Sequence, residues 1–302
     1  MLLTKRGVRV VVTLVVVAVI AVVIVGDRMV TRATASNDTT KTGFYLAVGG
    51  SSSLGFQPTG IPAHNGKRTS TGYANDIVHD EAAKGLSLTL RQVGCPGETL
   101  ITISGADDAC YAKPAGQMTA SITYLTKNSN EIGLVTIDLG FNDVRACLLH
   151  STVDLACANR GLTSVRRNMP TVLRRLRSAA GPNVHFVGLL YEDPFLADYL
   201  VSGSGVTEAN LTLRVMAQLN ATLQAAYVQA HVPMANVPGA FKTANTDPVP
   251  LAHVGTVPQN VQSACTLTWM CTPPPWGPDD HPNNAGYRVI ATAIEGAFPK
   301  SW

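Results

Sequence analysis

Phe44-Tyr45-Leu46-Ala47-Val48-Gly49-Gly50-Ser51 decides the reading of the fold: a short, unbroken apolar run that ends in two glycines and a serine. An apolar run without alternation is how a strand buried on both faces reads, and Gly-Gly-Ser is then the loop at its carboxyl end. Leu134-Val135-Thr136-Ile137-Asp138-Leu139 repeats the pattern and stops at Gly140. Leu88 to Val93, Val184 to Leu190 and Met234 to Val237 add three further strands. Helical patterns lie between and after them, at Met118 to Lys127, Ser164 to Ala180, Thr207 to His231 and Ala285 to Ala297. The second carries Val165, Met169, Val172, Leu173 and Leu176 on one face, and the third Leu211, Leu213, Val215, Met216, Leu219, Leu223 and Tyr227. Strands alternating with helices of this length imply an α/β fold with a parallel sheet covered on both faces. Such sheets bind ligands at the carboxyl ends of their strands, so Ser51 and Asn142, each just past a strand, share one rim.

Working outward, the chain has 302 residues, 46% hydrophobic and 14% charged, with a formal net charge of +3. Lys5, Arg6 and Arg9 precede an apolar run from Val10 to Val25 that only Thr13 interrupts. A basic flank before an apolar run marks an exported or membrane-inserted chain. The run is longer than the ~7–15 residues of a signal-peptide core and shorter than the ~20 of a spanning helix. Two readings of residues 1–31 therefore stay open: a signal-anchor whose residues 10–25 enter the membrane, or a signal peptide removed near Ala33-Thr34-Ala35. Both put the remainder outside the cytoplasm, secreted or held on the outer face of the cytoplasmic membrane. Residues 32–42 read as a polar linker and 43–302 as one domain.

The small net charge, with no Lys/Arg run outside the N-terminus, argues against a nucleic-acid partner. Six cysteines all lie beyond the apolar run. Their spacing groups them as Cys95–Cys110, Cys147–Cys157 and Cys265–Cys271, the expected disulfides of an exported chain. No metal site is expected, because neither Cys-x-x-Cys nor a paired-His spacing occurs. No cofactor is expected either. Gly60 to Lys67 has one residue too many between its glycines for a P-loop and lacks the Ser or Thr after the lysine.

Four islands carry chemistry, though each by itself also reads as an ordinary turn. Ser51 has a hydroxyl and an N–H left open by the glycines before it, and Ser52 and Ser53 share its composition. Gly97, in Gly94-Cys95-Pro96-Gly97-Glu98-Thr99, offers an N–H without a side chain in the way. Asn142, in Gly140-Phe141-Asn142-Asp143, has a side-chain amide that can donate to a developing oxyanion. His281 is one of seven histidines and is set apart by Asp279 two residues before it and Asp280 adjacent. Adjacent side chains point apart, so Asp279 is the better placed to hold the imidazole, and Asn283 or Asn284 can cap the last helix. Together and in this order the islands supply a nucleophile, oxyanion donors, a base and a carboxylate, the set that acyl transfer needs.

On these blocks the chain resembles the SGNH (GDSL-type) hydrolases, named for the Ser, Gly, Asn and His of four sequence blocks, over about residues 44–297. The first block is Gly49-Gly50-Ser51 with Gly55. The second is the Gly94 to Thr99 stretch, similar to exported bacterial members, and the third Gly140-x-Asn142-Asp143. The last is Asp279-x-His281-Pro282-Asn283-x-Ala285-Gly286-Tyr287. The resemblance implies a three-layer α/β/α, flavodoxin-like fold around a central parallel sheet, here preceded by an N-terminal apolar helix. It implies Ser51 as nucleophile, His281 as base and Asp279 as its acid, with an oxyanion hole from Ser51 N–H, Gly97 N–H and Asn142. The implied function is an exported, monomeric serine hydrolase that cleaves carboxylic esters through an acyl-enzyme. Its ester is a lipid, an aryl ester or an O-acetyl group on an envelope polysaccharide. Trp269, Met270, Pro273 to Pro275 and Trp276 either wall the substrate beside His281 or pack around Cys265–Cys271. Two departures matter: Gly50 stands where the family has Asp, and Pro278 where many members carry the acid, three residues before His281. They leave open a catalytically weak or inactive SGNH-like domain that binds without hydrolysing.

Overall fold

In the computed structural model the apolar runs form one parallel sheet: β1 (Lys41–Gly49), β2 (Leu86–Gln92), β3 (Ile132–Asp138), β4 (Val184–Leu189) and β5 (Met234–Ala235), in the order β2-β1-β3-β4-β5. The residues described are 41–61, 66–105, 109–112, 115–149, 152–299 and 302. The expected signal-anchor or signal peptide, the apolar helix at 10–25, the cleavage site at 33–35 and most of the linker lie outside them. Among the described residues, no helix is long and apolar enough to cross a membrane.

Side chains alternate across the sheet with period two. Phe44, Leu46, Val48, Val135, Ile137 and Phe186 join one core cluster, beneath α2 (Gln117–Lys127), α4 (Leu155–Ala179) and α5 (Gly205–Gln229). Tyr45, Ala47, Leu134, Val187 and Leu189 join the other, beneath α1 (Tyr73–Ala83) and α8 (Asn284–Glu295). The result is the expected three-layer α/β/α architecture. Strand order reverses between β1 and β3, which opens a crevice at their carboxyl ends. The shorter elements are α3 (Phe141–Arg145), α6 (Val237–Ala240) and α7 (Gln259–Leu267), with an antiparallel hairpin of β6 (Pro248–Leu251) and β7 (Gly255–Pro258).

Two boundaries differ from expectation for physical reasons. β1 begins at Lys41, inside the expected linker, because Lys41 and Thr42 pair in register with Leu86 and Ser87 of β2. α4 begins at Leu155 rather than Ser164, with the Asp154 carboxylate accepting from Cys157 N–H at its start. Its first turns bury two small residues, Ala158 and Gly161, before Leu162. A Cβ at Gly161 would come within 2.1 Å of the Asp143 carbonyl oxygen, so glycine lets this helix lie directly on α3.

The three disulfides pair as expected, closing separations of 15, 10 and 6 residues. Each staples a segment next to the serine-bearing crevice: the loop after β2, the end of α3 to the start of α4, and α7 to the loop before His281. Short closed loops of this kind contribute about 2–4 kcal/mol apiece. Reductant is expected to lower activity at concentrations that leave helical circular dichroism intact. Simultaneous loss of both signals would make the bridges purely structural.

Candidate active site

The turn after β1 is drawn tight by hydrogen bonds to its neighbours. Gly50 N–H donates to Asp138 O (3.1 Å), and Cys95 N–H to Gly49 O (3.0 Å). The buried Gln117 amide brackets Gly49 from both sides, accepting its N–H at 2.7 Å and donating to its carbonyl at 2.9 Å. Only glycine fits at position 49, where a Cβ would stand 2.4 Å from the Asp138 carbonyl oxygen. Ser53 Oγ donates to Gly50 O at 2.7 Å and is buried, so of the three serines it is spent on the turn.

Ser51 caps the crevice. Its hydroxyl donates to His281 Nε2 over 2.8 Å, and the opposite ring nitrogen, Nδ1, lies 2.8 Å from Asp279 Oδ1. A carboxylate accepts only, so Nδ1 carries the proton and Nε2 presents its lone pair to the serine. The same Asp279 oxygen accepts His281 N–H at 2.9 Å, which fixes the carboxylate against both ends of the residue it holds. Asp279 therefore reaches the ring from two residues away, and Pro278 does not prevent it. The ring also rests against Phe56, at 5.2 Å between centroids.

Asp280 is turned elsewhere. Its buried carboxylate takes a two-pronged grip from Arg145, with Nη2 to Oδ1 at 2.8 Å and Nε to Oδ2. Arg145 stands three residues after Asn142 on α3. The pair thus ties the His281 segment to the helix that carries the Asn142 amide, across 135 residues of sequence. A bidentate pair with one buried and one half-buried partner fixes geometry as much as it contributes energy. This contact was not legible in the sequence. Asp279, Asp280 and His281 offer ligand atoms within 4.8 Å of one another, but those atoms are already committed to each other, to Ser51 and to Arg145.

Asn142 donates one amide hydrogen to Glu98 O at 3.1 Å, which orients the second toward the crevice. A Cβ at Gly50 would lie 2.7 Å from Asn142 Nδ2. The residue that departs from the family block is therefore the one that makes room for this amide. Asp143 fastens α3 to the loop after β2 and to α4, accepting from Leu100 N–H at 3.0 Å and Ser164 Oγ at 2.8 Å. Gly97 is not brought into the crevice lining: it is exposed on its turn with φ near 80°. Only its neighbour Glu98 reaches Asn142, through a carbonyl.

Charge around the ring is graded. Burial lowers the His281 pKa, but the hydrogen bond to Asp279 and the charges of Asp279 and Asp280 outweigh it, and the net shift is upward from 6.5. Burial raises Asp280, yet Arg145 holds it below the usual carboxylate range. Two crevice acids that the sequence reading missed are pushed up by burial, Asp138 to about 6 and Glu192 to about 7. Asp138, under the site, accepts from Tyr191 Oη at 2.8 Å. Its available signal was a lone carboxylate closing an apolar strand. Trp269 and Trp276 stack on each other at 6.0 Å and do not border the crevice, whereas Met270 borders the adjoining groove. Asn283, not Asn284, caps α8 by accepting from Gly286 N–H at 3.1 Å.

No protein-family model and no curated relative matches the sequence. Solved structures do match the fold. A phospholipase A1 from Streptomyces albidoflavus is 18% identical with a TM-score of 0.54, over 85% of this chain and 99% of that one. An extracellular lipase from Streptomyces rimosus gives the same identity and TM-score, over 85% of this chain and all of its own. An acetylxylan esterase from Geobacillus stearothermophilus is 15% identical with a TM-score of 0.50, over 84% of this chain and 93% of that one. The fold of the chain is that of the SGNH-type hydrolases.

Proposed function

We propose that the chain is an SGNH-type serine hydrolase of carboxylic esters, exported from the cytoplasm. The observation that carries the reading is the unbroken hydrogen-bond line from Ser51 through His281 to Asp279. In this reading Ser51 Oγ attacks the ester carbonyl carbon while its proton passes to His281 Nε2. Negative charge gathers on the former carbonyl oxygen, where the free hydrogen of Asn142 Nδ2 and the Ser51 N–H receive it. The C–O bond to the alcohol then breaks, and His281 returns the proton to the departing oxygen. Water, deprotonated by the same ring, attacks the acyl-enzyme and releases the acid. Asp279 holds the Nδ1–H tautomer throughout and stabilises the imidazolium. Three disulfides and the basic-then-apolar N-terminus support an extracytoplasmic location.

A fluorophosphonate probe is expected to label the wild-type protein at one serine and to leave Ser51→Ala unlabelled. Absence of labelling in the wild type would instead favour a binding module. Asn142→Ala is expected to lower kcat by on the order of 10²–10³, the usual cost of one lost oxyanion donor. An unchanged kcat would remove Asn142 from the site. The base works only when neutral, and its pKa is raised. The acid limb of the kcat/KM profile should therefore fall above pH 6.5, with activity lost as pH drops through it. A limb at or below 6.5 would contradict that electrostatic arrangement.

A further inference from the structure

Residues 41–302 carry eighteen Lys and Arg and eighteen Asp and Glu, so this part of the chain has no net formal charge. Folding separates the signs. The layer of α2, α4 and α5 holds eight Lys and Arg against a single acid, Glu208. The opposite layer, α1 and α8, holds four acids against one Arg. Six of the eight cations are arginines of α4, a helix without an acidic residue, and all six are exposed. Arg160, Arg167 and Arg174 stand seven residues apart, so the helix sets them in one row of about 21 Å that drifts by only about 20° per step. Arg166 and Arg175 flank the row, each about 100° round the helix from its neighbour in it. Arg177 is occupied elsewhere: its Nη2 donates to His231 O at 2.8 Å, and its guanidinium lies over the Phe186 ring. Among the described residues, none of the other five takes part in an ion pair.

A long face of cations without counter-charges complements an extended anionic surface. Apolar side chains at its edge narrow the choice. Leu155 opens α4 and Val206 lies in the first turn of α5, 48% and 47% exposed. Val153 N–H donates to the Glu208 carboxylate at 2.9 Å, which ties the starts of the two helices together. Both helices set out from the carboxyl-end rim of the sheet, the rim that carries Ser51. A soluble polyanion offers nothing to Leu155 and Val206, whereas a bilayer interface takes apolar and cationic groups together, the stems of arginines included. The basic-then-apolar N-terminus also directs the chain to a membrane. We propose that the α2–α4–α5 layer docks on an anionic lipid bilayer. The arginine row meets headgroup phosphates, Leu155 and Val206 enter the interface, and the rim bearing Ser51 opens beside the lipid surface. This docking stands on charge and exposure and is independent of the hydrolase reading.

The test uses the full chain and the reaction of phenylglyoxal with arginine, followed site by site by mass spectrometry. Phosphatidylglycerol vesicles are expected to slow modification of Arg160, Arg166, Arg167, Arg174 and Arg175 by at least about 5-fold, the gain in binding that a single cation brings at such a surface. Arg68 and Arg288, exposed elsewhere on the domain, should react at unchanged rates, and phosphatidylcholine vesicles should protect none of the seven. Salt at about 1 M, where the screening length falls to about 3 Å, should restore reactivity. The triple variant Arg160→Gln, Arg167→Gln, Arg174→Gln should leave Arg166 and Arg175 unprotected on phosphatidylglycerol. Equal slowing at Arg68 and Arg288 overturns the face, and equal slowing by phosphatidylcholine overturns its basis in charge. No slowing by phosphatidylglycerol, or slowing by soluble polyphosphate alone, overturns the bilayer as partner. Protection of Arg166 and Arg175 that persists in the triple variant overturns the row. None of these outcomes is read from turnover, so the hydrolase reading stands or falls separately.

Discussion

Ser51→Ala is expected to reduce turnover of a short ester by on the order of 10⁶ while the thermal transition stays where it was. Among the described residues the hydroxyl it removes makes one hydrogen bond, to His281 Nε2 at 2.8 Å, and the backbone of the turn is held by Gly49, Gly50 and Gln117 rather than by that side chain. Ser52→Ala, one residue on, should retain turnover. Ser53→Ala should cost stability instead, since its buried Oγ is bonded to Gly50 O. Steady-state kinetics beside a melting curve distinguishes the three. Retention of activity in Ser51→Ala with loss in Ser52→Ala would shift the nucleophile by one residue.

Asp279→Asn should be the second largest loss, on the order of 10⁴ in kcat. The amide that replaces the carboxylate can turn an N–H toward the ring and favour the tautomer with its proton on Nε2, facing the serine. It also withdraws the charge that raises the His281 pKa, so the residual activity should show an acid limb moved to lower pH. Asp280→Asn should cost much less in kcat, because Asp280 meets Arg145 and stands 3.9 Å from Nδ1. The reverse ranking, or no effect from either, would mean that another group orients the ring.

What sequence could and could not convey follows from distance along the chain. Asp279 was legible because its partner lies two residues away, where local geometry restricts the outcome. The grip of Arg145 on Asp280 was not, since neither residue has any local mark of a partner 135 positions off. The strands were legible because burial on both faces writes itself as an unbroken apolar run. α1 was not, because its stripe of Tyr73, Ala74, Ile77 and Glu81 includes a carboxylate whose burial is offset by Lys84 and the Trp302 indole N–H. The start of α4 was hidden for a related reason: close packing of small residues leaves no hydrophobic signature. Gly97 shows the limit of a motif. Its turn is present as the block implied, yet the residue faces solvent, and a block alone does not say which of its atoms meets a substrate.

The order of the islands along the chain also sets an order of assembly. Ser51 emerges with the first strand of the sheet and Asn142 with the third, but His281 arrives only after the last strand, on the segment that leads into α8. A ribosome delivers the chain from its N-terminus, and partly made domains form structure as they emerge. On the proposed hydrolase reading, the serine therefore spends most of synthesis as an unactivated alcohol, with its proton in place and no acceptor in reach. It gains a base when Arg145 closes on Asp280 and α8 docks beneath the sheet, steps that need nearly the whole domain. On that reading a growing or truncated chain is inert, and hydrolytic competence coincides with completion of the fold.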